Sequence, residues 1–222
     1  MPTLSEQVAE RLVKTIHEKG YAPGDKLPTE AELQKICNVG RNTIREALKL
    51  LTSRNIVEIR QGAGTFIAQK PGIIEDPLGF NMINDCKKLV QDLQQIRLII
   101  EPPIAGLAAE YAKETDIREL EQILLKMECA MSRLESYTKL DAAFHKKIAE
   151  CTQNTVIENL IPIIGNGIAI FASEVENTEY NITKRSHRLI FEYISKHQPF
   201  EAEMEMRFHL TFNTKRYMEK MS

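Results

Sequence analysis

Four side chains in the C-terminal half of the chain have the types and spacing to hold a metal ion. Asp141 and His145 lie four residues apart, so on a helix both project from one face. His187 follows 42 residues after His145, and His209 a further 22. Three imidazoles and one carboxylate suit a first-row divalent ion, zinc foremost, with nickel, manganese or iron as alternatives. The three histidines fall within helical patterns beside Leu140, Phe144, Ile190, Phe208 and Phe212, and facing helices of a bundle are where such sites are built. Spacing alone favours a plainer reading. An Asp-x-x-x-His pair is common by chance, and buried histidines are often satisfied by hydrogen bonds. Both readings stand at this point.

A second set, Arg41, Asn42, Thr43, Arg45, Gln61 and Gly62, has the side-chain and backbone types that meet phosphates and base edges. The stretch Leu27 to Ala68 positions them. Thr29, with Glu32 three residues on, forms a capping box for a short helix. Cys37-Asn38-Val39-Gly40 reads as a turn. A second helix buries Ile44, Ala47, Leu48 and Leu51 at helical spacing and leaves Arg41, Asn42, Thr43 and Arg45 on its start and opposite face. Ile56 to Arg60 and Thr65 to Ala68 are short β-branched runs joined by Gln61-Gly62-Ala63-Gly64, whose glycines permit a hairpin tip. The order describes a winged helix-turn-helix. Residues 35–60 carry six basic side chains against Glu46 and Glu58, a local charge of +4. That favours nucleic-acid binding over a small domain whose arginines are merely solvated.

The elements around these residues set the architecture. A chain of 222 residues, 43% hydrophobic, suits two domains and contains no segment approaching the length of a membrane span. The opening MPTLSEQVAERL is amphipathic, without an apolar signal region. Cys37, Cys86, Cys129 and Cys151 are scattered, which argues against a disulfide framework or zinc finger and fits a reducing cytoplasm. Residues 1–70 hold eleven basic and eight acidic side chains; residues 71–222 hold 18 and 23. A basic head on an acidic body suits DNA contact confined to one end.

Thr3, with Glu6, caps a first helix that buries Leu4, Val8, Leu12 and Ile16 and ends at Gly20. The winged domain is thus read over 1–70, with a linker over 71–80 that includes Glu75-Asp76-Pro77. Residues 81–222 read as an all-helical bundle. Its first helix carries Leu89, Leu93, Ile96 and Ile100 and should break or kink at Pro102-Pro103. Thr115 and Thr138 are read as caps of the next two helices, with Ile117, Leu120, Leu124 and Met127, then Leu140, Phe144 and Ile148, inward. Further helices are expected over about 155–175, interrupted at Pro162, and over about 180–197 and 199–220. The fold class is mainly α, a winged α+β head followed by a helical effector domain.

Pro23-Gly24, Leu27 to Glu30, Val39-Gly40-Arg41, Arg45 to Leu48 and Gly62 to Thr65 together resemble the DNA-binding domain of the GntR family of bacterial transcription regulators. Gly40 stands where a Ser or Thr usually caps the recognition helix, and Ala31 where many members have arginine. The body resembles the FCD effector domain of the FadR branch. The matching stretches are Arg97 to Glu101, Leu107-Ala108-Ala109, Leu140 to His145, Gln153-Asn154, Ser186 to Ile190, and Arg207 to Leu210. Pro102-Pro103 departs from that domain's opening helix.

The resemblance implies a cytoplasmic, ligand-responsive regulator that binds operator DNA as a homodimer. It implies a divalent metal held by Asp141, His145, His187 and His209, and a small carboxylate effector at its open positions. Arg97 is a candidate partner for that carboxylate, since a guanidinium fork matches it bidentately. Two rivals remain: a metal-independent regulator responding to an acyl ligand, and a metal-dependent hydrolase.

Overall fold

The computed structural model describes residues 1–74, 76–171 and 180–221, so Glu75 of the expected linker and residues 172–175 of the helix expected over 155–175 lie outside it. The chain divides into two compact units, Met1–Pro77 and Leu78–Ser222.

The first unit holds α1 (Leu4–Glu18), α2 (Glu30–Cys37), α3 (Arg41–Ser53), β1 (Val57–Arg60) and β2 (Gly64–Ile67). Both expected capping boxes form, Thr3 with Glu6 and Thr29 with Glu32. α1 ends in a paired cap in which Gly20 N–H donates to His17 O and Tyr21 N–H to Ile16 O, with Gly20 at a φ of +65°. Leu4 does not join the buried face; it is 57% exposed, and Ala9 is buried instead. As the first helical residue, Leu4 projects beyond the end of the core. Asn38 takes the left-handed conformation that turns α2 into α3, and Gly40 starts α3 without a side-chain cap. β1 and β2 pair antiparallel, with Val57 opposite Ile67 and Arg60 opposite Gly64. A third segment, unread from the sequence, adds to this edge: Ile67 N–H donates to Asp25 O and Leu27 N–H to Thr65 O, both at 2.8 Å. Leu12, Leu33, Ile44, Leu48, Leu51, Val57 and Ile67 close the core of this unit.

The second unit is helical: a 3-10 turn at Phe80–Met82, then α4 (Cys86–Tyr111), α5 (Glu114–Ser132), α6 (Thr138–Cys151), α7 (Thr155–Phe171), α8 (Tyr180–Ser195) and α9 (Pro199–Met221). Of the break or kink expected at Pro102-Pro103, the break does not occur; α4 is one helix with both prolines inside it. Each proline removes a helical hydrogen bond and crowds the preceding turn. Packing outweighs that cost, because Glu101, Pro102, Ile104, Ala105, Ala108 and Ala109 are all buried in α4. Gly106 allows close approach to α9, since a Cβ there would stand 3.3 Å from the Pro199 carbonyl oxygen. Ile96, expected inward, is 43% exposed. Pro162 likewise lies inside α7 without interrupting it.

The two threonines read as caps are already helical. α5 begins upstream of Thr115, at Glu114, because Asp116 reaches back to accept from the Lys113 N–H at 3.2 Å. Tyr137, not Thr138, is the N-cap of α6. Asn154 caps α7, its Oδ1 accepting from Val156 N–H at 3.0 Å and Ile157 N–H at 3.3 Å. Leu120, Leu124, Met127, Phe144, Ile148, Ile190, Ile194 and Leu210 form the bundle core. Lys147 is buried against Asp116, Glu119 and Glu150, tying α5 to α6.

Pro103 is exposed whereas Pro102 is buried. Pro103→Ala should therefore restore a backbone hydrogen bond while losing little packing, raising unfolding stability by about 2 kcal/mol after allowance for the stiffer unfolded chain. Pro102→Ala should gain less. Chemical denaturation of the two variants checks the order.

Candidate metal centre and DNA-binding face

The four residues singled out by spacing converge. α6 supplies Asp141 and His145, α8 supplies His187, and α9 supplies His209; one ligand atom from each lies within 4.8 Å of the others. The imidazole rings pack with centroids 4.3 Å apart for His187 and His209, 5.4 Å for His145 and His209, and 5.9 Å for His145 and His187. All three histidines are buried, and Phe144 stacks its edge against His187 at 5.1 Å.

Hydrogen bonds outside the cluster orient the rings. His187 Nδ1 lies 2.8 Å from the Thr183 carbonyl oxygen. A carbonyl only accepts, so Nδ1 carries the proton, and in the neutral ring Nε2 is a bare lone pair. That lone pair stands 3.0 Å from Asp141 Oδ1, without hydrogen-bond geometry. Two acceptors at that distance repel unless a proton or a metal ion lies between them. Adjacent ligands on an ion with bonds of about 2.1 Å are about 3.0–3.4 Å apart, so the pair fits a shared metal.

His145 Nε2 faces Asp141 Oδ2 at 4.0 Å and has no hydrogen-bond partner. Its Nδ1 is 2.6 Å from Glu101 Oε2, an approach too bent for a well-formed hydrogen bond but close enough for charge pairing. His209 places Nδ1 2.8 Å from Ser186 Oγ and Nε2 3.1 Å from Asn213 Nδ2.

Ligation needs neutral imidazole and ionised carboxylate, and His209 and Asp141 are shifted in those two directions. Burial, reinforced by His187 and His145, holds His209 well below the usual histidine range. Burial pushes the Asp141 carboxyl up, but the close approach of His187 and the charges of His145 and Arg97 outweigh it and hold it well below the usual range.

Arg97 does lie beside this cluster, but its guanidinium is occupied: Nε is 2.5 Å from Glu101 Oε1, and the second nitrogen 3.3 Å from Oε2. Burial raises the Glu101 carboxyl, Arg97 and then His145 oppose it, and the outcome is about 2. Glu101 is thus an ionised bridge between Arg97 and a candidate ligand. Arg97, Glu101, Thr138, Asp141 and Gly165 border a cavity of about 30 Å³, room for one or two waters. Glu101, Thr183 and Asn213 were not singled out from the sequence. The four-residue step from Arg97 to Glu101 was the one available signal, and an ion pair at that spacing is usually a surface feature.

On the first unit, Arg41, Asn42 and Arg45 are exposed on α3 and Thr43 is half-buried beside them. Arg41 Nε is 3.3 Å from Glu30 Oε2, which ties the start of α3 to the start of α2. Arg45 has no ion pair among the described residues. At the wing tip Gln61, Gly62, Ala63 and Gly64 are exposed, with φ of +73° at Gly62 and +113° at Gly64. Arg60, counted among the local basic charges, braces the wing: its guanidinium lies over the Phe66 ring at 4.4 Å and pairs with Glu58 at 3.1 Å.

A winged helix-turn-helix head followed by an all-helical domain with a buried His/Asp cluster defines a two-domain transcription regulator. Residues 4–67 match the family described as "Bacterial regulatory proteins, gntR family", and residues 92–212 match the FCD domain. The chain belongs to the GntR family, in its FCD-bearing branch, a family of transcription regulators rather than enzymes. A solved structure, Streptococcus agalactiae GntR, superposes with a TM-score of 0.87 at 36% identity, covering 95% of this chain and 99% of that one. The uncharacterized HTH-type transcriptional regulator YcbG of Bacillus subtilis is 29% identical over 95% of this chain and 88% of its own length. The galactonate operon transcriptional repressor of Escherichia coli is 29% identical over 89% of each chain.

Arg45→Ala should cost operator binding about 1–3 kcal/mol and relax preference at one base position if its contact is a bidentate base pair. Titration of operator and mismatched DNA at fixed salt checks this; unchanged affinity and preference would remove Arg45 from the reading face.

Proposed function

We propose that this protein is a cytoplasmic repressor whose helical domain binds a divalent metal ion and, through it, a small organic acid that alters operator binding. The observation that carries the reading is the convergence of Asp141, His145, His187 and His209 within 4.8 Å, with His187 Nε2 3.0 Å from Asp141 Oδ1 and no hydrogen bond between them. Asp141, His145, His187 and His209 would hold the ion. Three neutral nitrogens and one carboxylate suit zinc, and equally accept nickel, manganese or iron. An ion bound there supplies open coordination positions to a carboxylate.

Arg97 and Thr138 border the cavity beside Asp141, and both can donate to an acid. The small cavity means that the acid enters by displacing side chains, and Arg97 would exchange part of its pairing with Glu101 for the incoming carboxylate. That exchange gives the acid different affinities for two arrangements of the domain, which any ligand needs in order to shift an equilibrium. The operon named for the Escherichia coli relative concerns galactonate, an organic acid, which supports this class of effector. In the head, Asn42, Thr43 and Arg45 would read the major groove. Arg41 would meet a phosphate on release from Glu30, and Gln61 and Gly62 would follow the backbone or minor groove. A homodimer placing two such heads on a pseudo-palindromic operator completes the reading.

Native mass spectrometry of the full chain should find one divalent ion per protomer and a dimer. Chelation should lower Tm, because metal binds only the folded site; the loss is about 2.7 kcal/mol for an ion present at a hundredfold its dissociation constant. It should also abolish the response to organic acids while leaving operator binding intact. His187→Ala should reproduce both effects without chelator. A metal-free wild-type protein whose melting curve is unmoved by zinc, nickel and manganese would sink the metal reading.

A further inference from the structure

The hydrogen bonds behind His187 and His209 form one chain in which every proton has a forced direction. Asn213 Nδ2, an amide nitrogen that only donates, is 3.1 Å from His209 Nε2, so Nε2 accepts and the neutral ring carries its proton on Nδ1. Nδ1–H then donates to Ser186 Oγ, 2.8 Å away, and the hydroxyl's own proton is left for the Thr183 carbonyl oxygen at 3.0 Å. The same Thr183 carbonyl takes the Nδ1 proton of His187 at 2.8 Å. Thr183, Ser186, His187 and His209 are each 2% exposed or less, so water does not compete along the chain.

We propose that Ser186 is a positioning residue of the metal centre: its hydroxyl, bridging His209 Nδ1–H to the Thr183 carbonyl, locks His209 in the tautomer that leaves Nε2 as a lone pair for an ion, and Asn213 caps that lone pair until an ion takes it. One backbone carbonyl thereby sets the tautomer of two ligands, directly for His187 and through Ser186 for His209. Partners behind ligating histidines commonly fix ring orientation and contribute about 10–100-fold to metal affinity. Both ends favour the same tautomer, but on metal binding they act in opposite senses. Ser186 favours the ligating form, whereas the Asn213 amide must leave Nε2 before an ion can bind. This inference rests on the metal reading above.

The test uses full-length protein with zinc alone as the probe. Imidazole nitrogen spectra of the zinc-free wild type should show His187 and His209 protonated on Nδ1, with His209 identified by its absence in His209→Gln. Ser186→Ala should move His209 toward the Nε2-protonated form, leave His187 unchanged, and weaken zinc binding by about 10–100-fold in chelator competition. Ser186→Thr, which keeps the hydroxyl, should restore both. Asn213→Ala should bind zinc at least as tightly as wild type, a sign that general damage to the fold would not produce. A Ser186→Ala protein with the wild-type His209 tautomer and zinc affinity overturns the proposal, as does weaker binding by Asn213→Ala. If the wild type itself binds no metal, the metal reading and this inference fall together; if only the variants behave otherwise, this inference alone falls.

Discussion

Ionised carboxylates inside a helical bundle are costly unless every one is compensated, and the second unit is arranged around two of them. Asp141 and Glu101 both stay charged against the opposing effect of burial. Glu101 is compensated by Arg97, one turn away on α4, and by His145. Asp141 draws on the charge of Arg97 and lies 3.0 Å from His187 and 4.0 Å from His145. Removing one partner of such a set leaves a buried charge unpaired, which typically costs about 3–5 kcal/mol. The rings, the carboxylates and Arg97 therefore stand as one electrostatic unit, and the apolar contacts of Phe144, Ile190 and Leu210 hold it at the meeting of four helices.

α4 carries the largest share of this arrangement. Its buried side presents Gln94, Arg97 and Glu101 as well as Ile104, Ala105 and Ala108. A polar stretch and a small-residue stretch thus share one helix, the second allowing α9 to approach closely at Gly106. α9 in turn brings His209. The prolines at 102 and 103 fall between the two stretches, where local propensity argues for a break and tertiary packing prevents one. The winged unit is built differently: its core is apolar, its polar groups are exposed on α3 and at the tip, and Phe66 with Arg60 stiffens the wing.

Much of this is legible in the sequence. Capping boxes at Thr3 and Thr29, the αL-prone Asn38 and the glycines of the wing act within a few residues of themselves, so their consequences can be read locally. So can the buried stripe of α3 and the recurring helices of the body. Leu4 and Ile96 are misplaced by such a reading because the burial of a face depends on what packs against it, and Thr115 because Asp116 caps α5 one residue further upstream. The bridge from Asp25 and Leu27 to β2 goes unread because strand pairing of that kind joins residues about forty apart with no repeating pattern.

The candidate site shows the same division more sharply. Residue type and spacing mark Asp141, His145, His187 and His209 as a possible ligand set, since a step of four residues puts two side chains on one helical face. Convergence of α6, α8 and α9 does not follow from spacing, because it depends on how three helices pack. Nor does the direction of a proton. Which nitrogen of His187 or His209 is bare follows from what stands behind it, and the Thr183 carbonyl and the Ser186 hydroxyl reach those nitrogens only in the folded bundle. Arg97 reads in the sequence as a free fork for a carboxylate; burial beside Glu101 instead gives it a partner within the protein, because a charge taken out of water must be paired where it lies.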